Sequence, residues 1–122
     1  MKKKILIIDD SRAMRLIVRR TLRQAGLGDH EVVEACDGRE GYDLIRKSAP
    51  DLVLSDWNMP EMSGFELLTE LRRNSVNVKF GFVTTEGTAE MRTAASEAGA
   101  LFVITKPFSP EAFRQALTSV LG

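Results

Sequence analysis

Residues 52–64 read L-V-L-S-D-W-N-M-P-E-M-S-G. An apolar run with the character of a buried strand stops there on a carboxylate, Asp56, and Trp57, Asn58 and a Met59-Pro60 turn follow at once. A buried strand gains nothing from ending in charge unless the charge has a task or a partner. The first apolar run ends the same way, in I-L-I-I-D-D, with Asp9 and Asp10 after Ile5–Ile8. Lys79–Thr84 ends in Thr84 and Thr85, with Glu86 next, and Leu101–Ile104 is followed by Thr105, Lys106 and Pro107. Glu31–Ala35 ends in Glu34, Ala35 and Cys36, which adds little.

Three carboxylates, a hydroxyl and an ammonium on one edge define a narrow chemistry. Crowded carboxylates repel, so one of them has a raised pKa unless a cation joins them. Hard oxygen ligands with few side-chain donors suit Mg2+, which keeps several waters and binds through one or two carboxylates plus a phosphate. A carboxylate can also act as a nucleophile and accept a phosphoryl group as an aspartyl phosphate. Phosphoryl transfer demands positioning and charge neutralisation above all. Lys106 and Mg2+ supply the neutralisation, and a threonine hydroxyl can donate to a phosphoryl oxygen. Taken singly, each feature has a plain structural use: an Asp caps a turn, a Lys before Pro is solvated, a T-T pair suits a strand. The Asp9-Asp10 pair fits that use poorly, because no cap needs two adjacent carboxylates.

The elements that must position these residues follow from periodicity. Five short apolar runs, Lys4–Ile8, Glu31–Ala35, Leu52–Ser55, Lys79–Thr84 and Leu101–Ile104, read as strands. Helical spacing fills the gaps between them. Met14, Ile17, Val18, Leu22 and Ala25 share one face, then Gly41, Leu44 and Ile45, then Phe65, Leu68 and Leu71. Met91, Ala94, Ala95 and Ala98 follow, and Phe113, Ala116, Leu117, Val120 and Leu121 come last. Ser11 and Ser109 are N-cap residues, with Pro110 at a first helical position. Gly26, Gly28 and Gly99 sit where helices stop. Wholly apolar strands alternating with helices imply a parallel sheet covered on both faces. Right-handed crossovers make it a doubly wound α/β domain, (βα)5, spanning 1–122 without linker, repeat or low-complexity segment. Ligands of such sheets lie beyond the carboxyl ends of the strands, which is where the reactive residues collect.

Composition narrows the alternatives. A chain of 122 residues suits one domain with one core. Seventeen basic residues balance seventeen acidic ones, which argues against nucleic acid or anionic membrane as a partner held by net charge. The opening M-K-K-K-I-L-I-I has an apolar stretch too short for a signal peptide, and no segment approaches transmembrane length. The single cysteine, Cys36, fits a reducing compartment and a packing role at a strand end. A cytoplasmic, monomeric protein is expected.

With these residues in view, the chain resembles a response-regulator receiver domain of the single-domain chemotaxis-regulator type. The motifs are I-L-I-I-D-D, L-V-L-S-D-W-N-M-P-E-M-S-G, F-V-T-T-E, and I-T-K-P-F after A-G-A, and the likeness covers the whole chain. The resemblance implies a flavodoxin-like strand order 2-1-3-4-5. It implies that Asp56 accepts a phosphoryl group from the phosphohistidine of a histidine kinase or histidine phosphotransfer protein. Asp9, Asp10, Asp56 and the Asn58 backbone carbonyl would hold Mg2+, Asp9 through water. Thr84 would follow the phosphoryl group and Lys106 pair with it, helped by a cis bond before Pro107. Asn58 and Glu86 occupy the positions that set how fast the aspartyl phosphate hydrolyses. Trp57, partly exposed beside the acceptor, would report on the site. The protein would assist its own phosphorylation and dephosphorylation without being an enzyme. A downstream protein target would read the face made by Thr88–Ala98, Leu101–Ile104 and Ser109–Leu121. One position departs from the family: Val103 stands where a Tyr or Phe is common, and Phe102 points to the opposite side of its strand. At this position the resemblance therefore does not by itself imply the aromatic switch or flagellar-motor binding in the usual way.

The same residues admit other readings. The chain can be a receiver excised from a longer regulator or hybrid kinase, because Gly122 lies just past the last helix. A haloacid-dehalogenase-like phosphatase also uses a strand-end Asp, Mg2+, a Thr and a Lys. That family carries D-x-D after its first strand, whereas D-W-N here follows the third, and no cap domain is present. A receiver-shaped module that is never phosphorylated would not need the complete acidic set. No G-x-x-x-x-G-K-[ST] or G-x-G-x-x-G supports nucleotide binding.

Overall fold

A computed structural model describes residues 2–121; Met1 and Gly122, the two ends of the expected 1–122 domain, lie outside the described residues. Strands and helices alternate throughout: β1 (Lys4–Ile8), α1 (Arg12–Gln24), β2 (Glu31–Ala35), α2 (Gly38–Ser48), β3 (Leu52–Ser55), α3 (Gly64–Arg73), β4 (Lys79–Thr84), α4 (Ala89–Glu97), β5 (Val103–Thr105) and α5 (Pro110–Leu121). The five strands form one parallel sheet in the order β2-β1-β3-β4-β5. This is the flavodoxin-like receiver fold that the motifs imply.

Alternation along the strands explains the two-sided burial. Ile5, Ile7, Leu52 and Leu54 pack with Val18 and Leu22 of α1 and Phe113 and Leu117 of α5. Leu6, Ile8 and Val53 face the other way, onto Ile45 of α2, Leu67, Leu68 and Leu71 of α3, and Ala95 of α4. The helices start where the side chains dictate. Ser11 accepts from the Met14 N–H and Ser109 from the Ala112 N–H, as expected, while Asp37 and Thr88 cap α2 and α4. Ser63 and Glu66 complete a reciprocal capping box at α3.

Four expectations need correction. β5 is Val103–Thr105, not Leu101–Ile104. The chain leaves α4 through Gly99 at φ +104 and is still turning at Leu101, whose apolar side chain is 53% exposed. Regular pairing then runs on to Thr105, opposite Thr84. Gly26, at φ +84, ends α1, and Gly28 lies beyond that stop. Met14 and Ile17 do not join the core with Val18 and Leu22. Ile17 is 42% exposed, and both line a cleft of about 380 Å³ with Thr85, Lys106, Pro107 and Phe108. Cys36 is exposed, one residue past the last paired residue of β2, its Sγ 3.8 Å from Asp37 Oδ2, so it fills no core position.

Candidate functional site

Register sets the level of the reactive residues. Ile8 pairs with Ser55, and Ser55 with Phe82, so Asp9 and Asp56 emerge side by side one residue beyond the paired rows. Thr84 pairs with Thr105, and Lys106 stands one residue past that pair, its N–H donating to the Thr84 carbonyl at 2.8 Å. The Lys106–Pro107 bond is cis, as expected.

One carboxylate oxygen each of Asp9, Asp10 and Asp56 lies within 4.8 Å of the others. Lys106 Nζ reaches into the same cluster, 3.4 Å from Asp9 Oδ2 and 3.7 Å from Asp56 Oδ1. Asp9 is nearly buried and also accepts from the Ser11 N–H at 2.9 Å through Oδ1. Asp10 is exposed. Asp56 Oδ1 accepts from the Trp57 N–H at 2.8 Å. Its carboxyl is held above the ordinary carboxylate range, first by burial and then by the charges of Asp9 and Asp10, with Lys106 and the Trp57 N–H opposing. Three converging oxygens with one ammonium leave negative charge in excess. That donor set fits a small hard cation, which would offset both the burial and the repulsion that hold the Asp56 carboxyl up.

The surrounding loops shape the opening. Gly64 has no room for a side chain: a Cβ there would stand 2.0 Å from the Asp56 carbonyl. This close approach folds the 57–63 loop back over the end of β3, and the Gly64 N–H donates to Trp57 O. Trp57 is partly exposed, as expected, and its ring sits 5.2 Å from that of Phe65 and 4.6 Å from that of Phe82. Asn58 and Glu86 are both exposed and meet across the mouth, Asn58 Nδ2 donating to Glu86 Oε1 at 3.2 Å. Thr84 is fully buried, its hydroxyl accepting from the Glu86 N–H at 3.4 Å. The reactive side chains expected at the strand ends therefore lie at one edge. Phe102 and Val103 point to opposite faces, Phe102 packing over Gly81 and Val103 against the α2–α4 side.

Two residues of this neighbourhood escape sequence reasoning. Glu34, at the strand end that adds little, accepts from Arg15 Nε at 2.7 Å and from Arg19 Nε. Burial opposes its ionisation, but the bonds from Arg19 and Arg15 outweigh it and hold its carboxyl below the usual range. Arg15 Nη1 also donates to the Asp9 carbonyl at 2.6 Å. The available signal is slight: two arginines four apart on α1, and a second glutamate, Glu34, after the valines of the next strand.

Comparison with known proteins agrees with this geometry. The response regulator receiver domain model matches residues 5–118. A chemotaxis protein CheY homolog of Campylobacter jejuni is 41% identical over 98% of this chain and 92% of its own length. Chemotaxis protein CheY1 of Helicobacter pylori is 38% identical over 98% and 97%. The solved structure of Vibrio cholerae chemotaxis protein CheY4 superposes with a TM-score of 0.85 at 36% identity, covering 98% of this chain and 99% of that one. A family match over nearly all of the chain, a shared strand order and an acidic cluster at the sheet's carboxyl edge lead to one conclusion: the chain belongs to the response regulator receiver domain family.

Proposed function

We propose that this protein is the phosphoacceptor of a two-component pathway of the chemotaxis type, and that Asp56 is the residue phosphorylated. The convergence of Asp9, Asp10 and Asp56 on one point beneath Lys106 carries this reading. An Asp56 oxygen attacks the phosphorus of a phosphohistidine on a histidine kinase or phosphotransfer protein. The P–O bond forms as the P–N bond breaks, and the departing imidazole nitrogen takes up a proton. Asp9, Asp10, Asp56 and the Asn58 carbonyl would hold Mg2+, which would supply charge neutralisation there. Lys106, already 3.7 Å from Asp56 Oδ1, pairs with the new phosphoryl oxygens, and the Thr84 hydroxyl follows them. The Asn58–Glu86 pair lies across the path of an in-line water and so governs hydrolysis. A downstream protein reads the resulting change on the face of Thr88–Ala98, Leu101–Ile104 and Ser109–Leu121.

The relatives named above are chemotaxis proteins, which favours that pathway over the dehalogenase-like phosphatase. The test is incubation with a small phosphodonor and Mg2+, followed by mass measurement. A base-labile phosphoryl adduct is expected on the wild type and not on Asp56→Asn. An adduct that persists in Asp56→Asn, or forms equally in chelator, refutes the assignment. The same samples give the hydrolysis rate, which bulky or cationic replacements of Asn58 and Glu86 should slow without blocking arrival of the phosphoryl group.

A further inference from the structure

The two peptides that flank Asp9 are each held, the one before it through its N–H and the one leading to Asp10 through its carbonyl. Asp9 donates its N–H to Ala35 O at 3.2 Å, and its carbonyl accepts from Arg15 Nη1 at 2.6 Å. Arg15 is fixed in turn: its Nε donates to Glu34 Oε1 at 2.7 Å, and its side chain is only 15% exposed. Arg19 holds the other oxygen of Glu34 and donates through Nη2 to Val32 O at 3.1 Å. A continuous chain of polar contacts therefore runs from the middle of β2 through Arg19, Glu34 and Arg15 to the Asp9 carbonyl. The Asp10 side chain makes no hydrogen bond or ion pair among the described residues. Its direction is set by its backbone alone. A peptide unit is planar, so fixing the Asp9 carbonyl fixes the plane from which Asp10 departs.

We propose that Arg15 is a positioning residue for the cation site: it grips the Asp9 carbonyl, is itself oriented by Glu34 and Arg19, and thereby aims Asp10. This rests on the Mg2+-dependent reading given above. The alternatives for Arg15 differ in sign. As a bare positive charge beside three carboxylates it repels a cation, so its removal tightens Mg2+ binding. As a purely structural ion pair it changes stability and leaves affinity alone. As a positioning residue its removal weakens binding even though a repelling charge has gone. Residues that orient metal ligands from behind typically matter by 10–100-fold in metal affinity.

Mg2+ titration by calorimetry, paired with urea unfolding in chelator, separates the three. Arg15→Met should weaken Mg2+ about tenfold, by more than any change in unfolding accounts for. Arg15→Lys keeps the charge but reaches only one of the two acceptors, and should fall between Arg15→Met and wild type. Arg19→Gln, one link further out, should weaken binding by less. Unchanged or tighter binding in Arg15→Met overturns the proposal. Should that variant fail to fold, Arg19→Gln applies the same sign test, with unchanged or tighter binding again overturning it. Wild-type protein that binds no Mg2+, or binds it equally after Asp10→Asn, overturns the Mg2+ reading and this proposal with it. Loss on Asp10→Asn alone preserves the former and refutes the latter.

Discussion

Burial raises the Asp56 carboxyl above the ordinary carboxylate range, and the charges of Asp9 and Asp10 add to it while Lys106 opposes. An acid with a raised folded-state pKa binds more protons folded than unfolded. Stability therefore falls as pH climbs from the ordinary carboxylate value through the raised one. In the absence of metal at pH 7, Asp56→Asn should melt about 2–5 °C higher than wild type, the equivalent of roughly 1 kcal/mol in a small domain. The gap should close below about pH 4, where the unfolded carboxyl is protonated as well. Mg2+ at a hundred times its Kd should add about 2.7 kcal/mol to the wild type and less to the variant, narrowing or reversing the order. An Asn variant less stable than wild type in chelator at pH 7 contradicts the electrostatic account. The residues of this cluster are legible in the sequence because a strand end fixes where a short side chain goes. Arg15 and Glu34 are not, because a long side chain selects its partner only after helix and sheet have packed.

At the scale of elements, α4 differs from its neighbours. Its apolar positions Met91, Ala94, Ala95 and Ala98 have helical spacing, yet only Ala95 is fully buried. Small side chains bury little area, and arginines fasten the helix in place of a large apolar face. Arg92, near its start, donates to Gly87 O and Val103 O at 3.2 Å each. Beyond its end, Arg72 of α3 donates to Val76 O and Val78 O at 2.9 Å and to Gly99 O at 3.2 Å. Arg72→Met should destabilise the domain by about 2 kcal/mol, since bonds from a charged donor contribute more than neutral ones. Arg92→Ala, at an exposed position, should cost under about 1 kcal/mol but raise amide exchange across α4 selectively. Uniform exchange changes over all five helices would refute this picture of local fastening. Alternation of strand and helix, and with it the fold class, is readable from periodicity. The edge of β5 is not, because Leu101 carries a core residue's hydrophobicity into a half-exposed turn.

For the whole molecule, the sheet separates two cores, α1 and α5 on one side and α2, α3 and α4 on the other. A change at Asp56 can cross to the outer face only through something that touches both. Thr84 is fully buried at the end of β4, its hydroxyl accepts from the Glu86 N–H, and its carbonyl accepts from the Lys106 N–H. The next residue along, Gly87, rides directly on Thr105, where a Cβ would come within 2.3 Å of the threonine methyl. Arg92 then ties Gly87 to Val103. On the proposed reading, movement of Thr84 toward the phosphoryl group would pull a loop already linked to β5 and to the start of α4. Val103 itself contributes little, since a β-branched side chain has few rotamers to choose between. A ligand shifts such an equilibrium only by its unequal interaction with the two states, and on the proposed reading Thr84 and Lys106 would supply the inequality. Amide shift changes on binding beryllofluoride, a mimic of the phosphoryl group, should therefore concentrate on Thr84–Met91 and extend into Val103–Thr105. Val103→Tyr should leave phosphorylation of Asp56 intact while altering binding to the downstream partner. Arg92→Ala should shrink the shifts beyond Thr88 and spare those at Thr84 and Glu86. Large changes confined to α1 would put the output away from the α4–β5–α5 face and break this route at its first link.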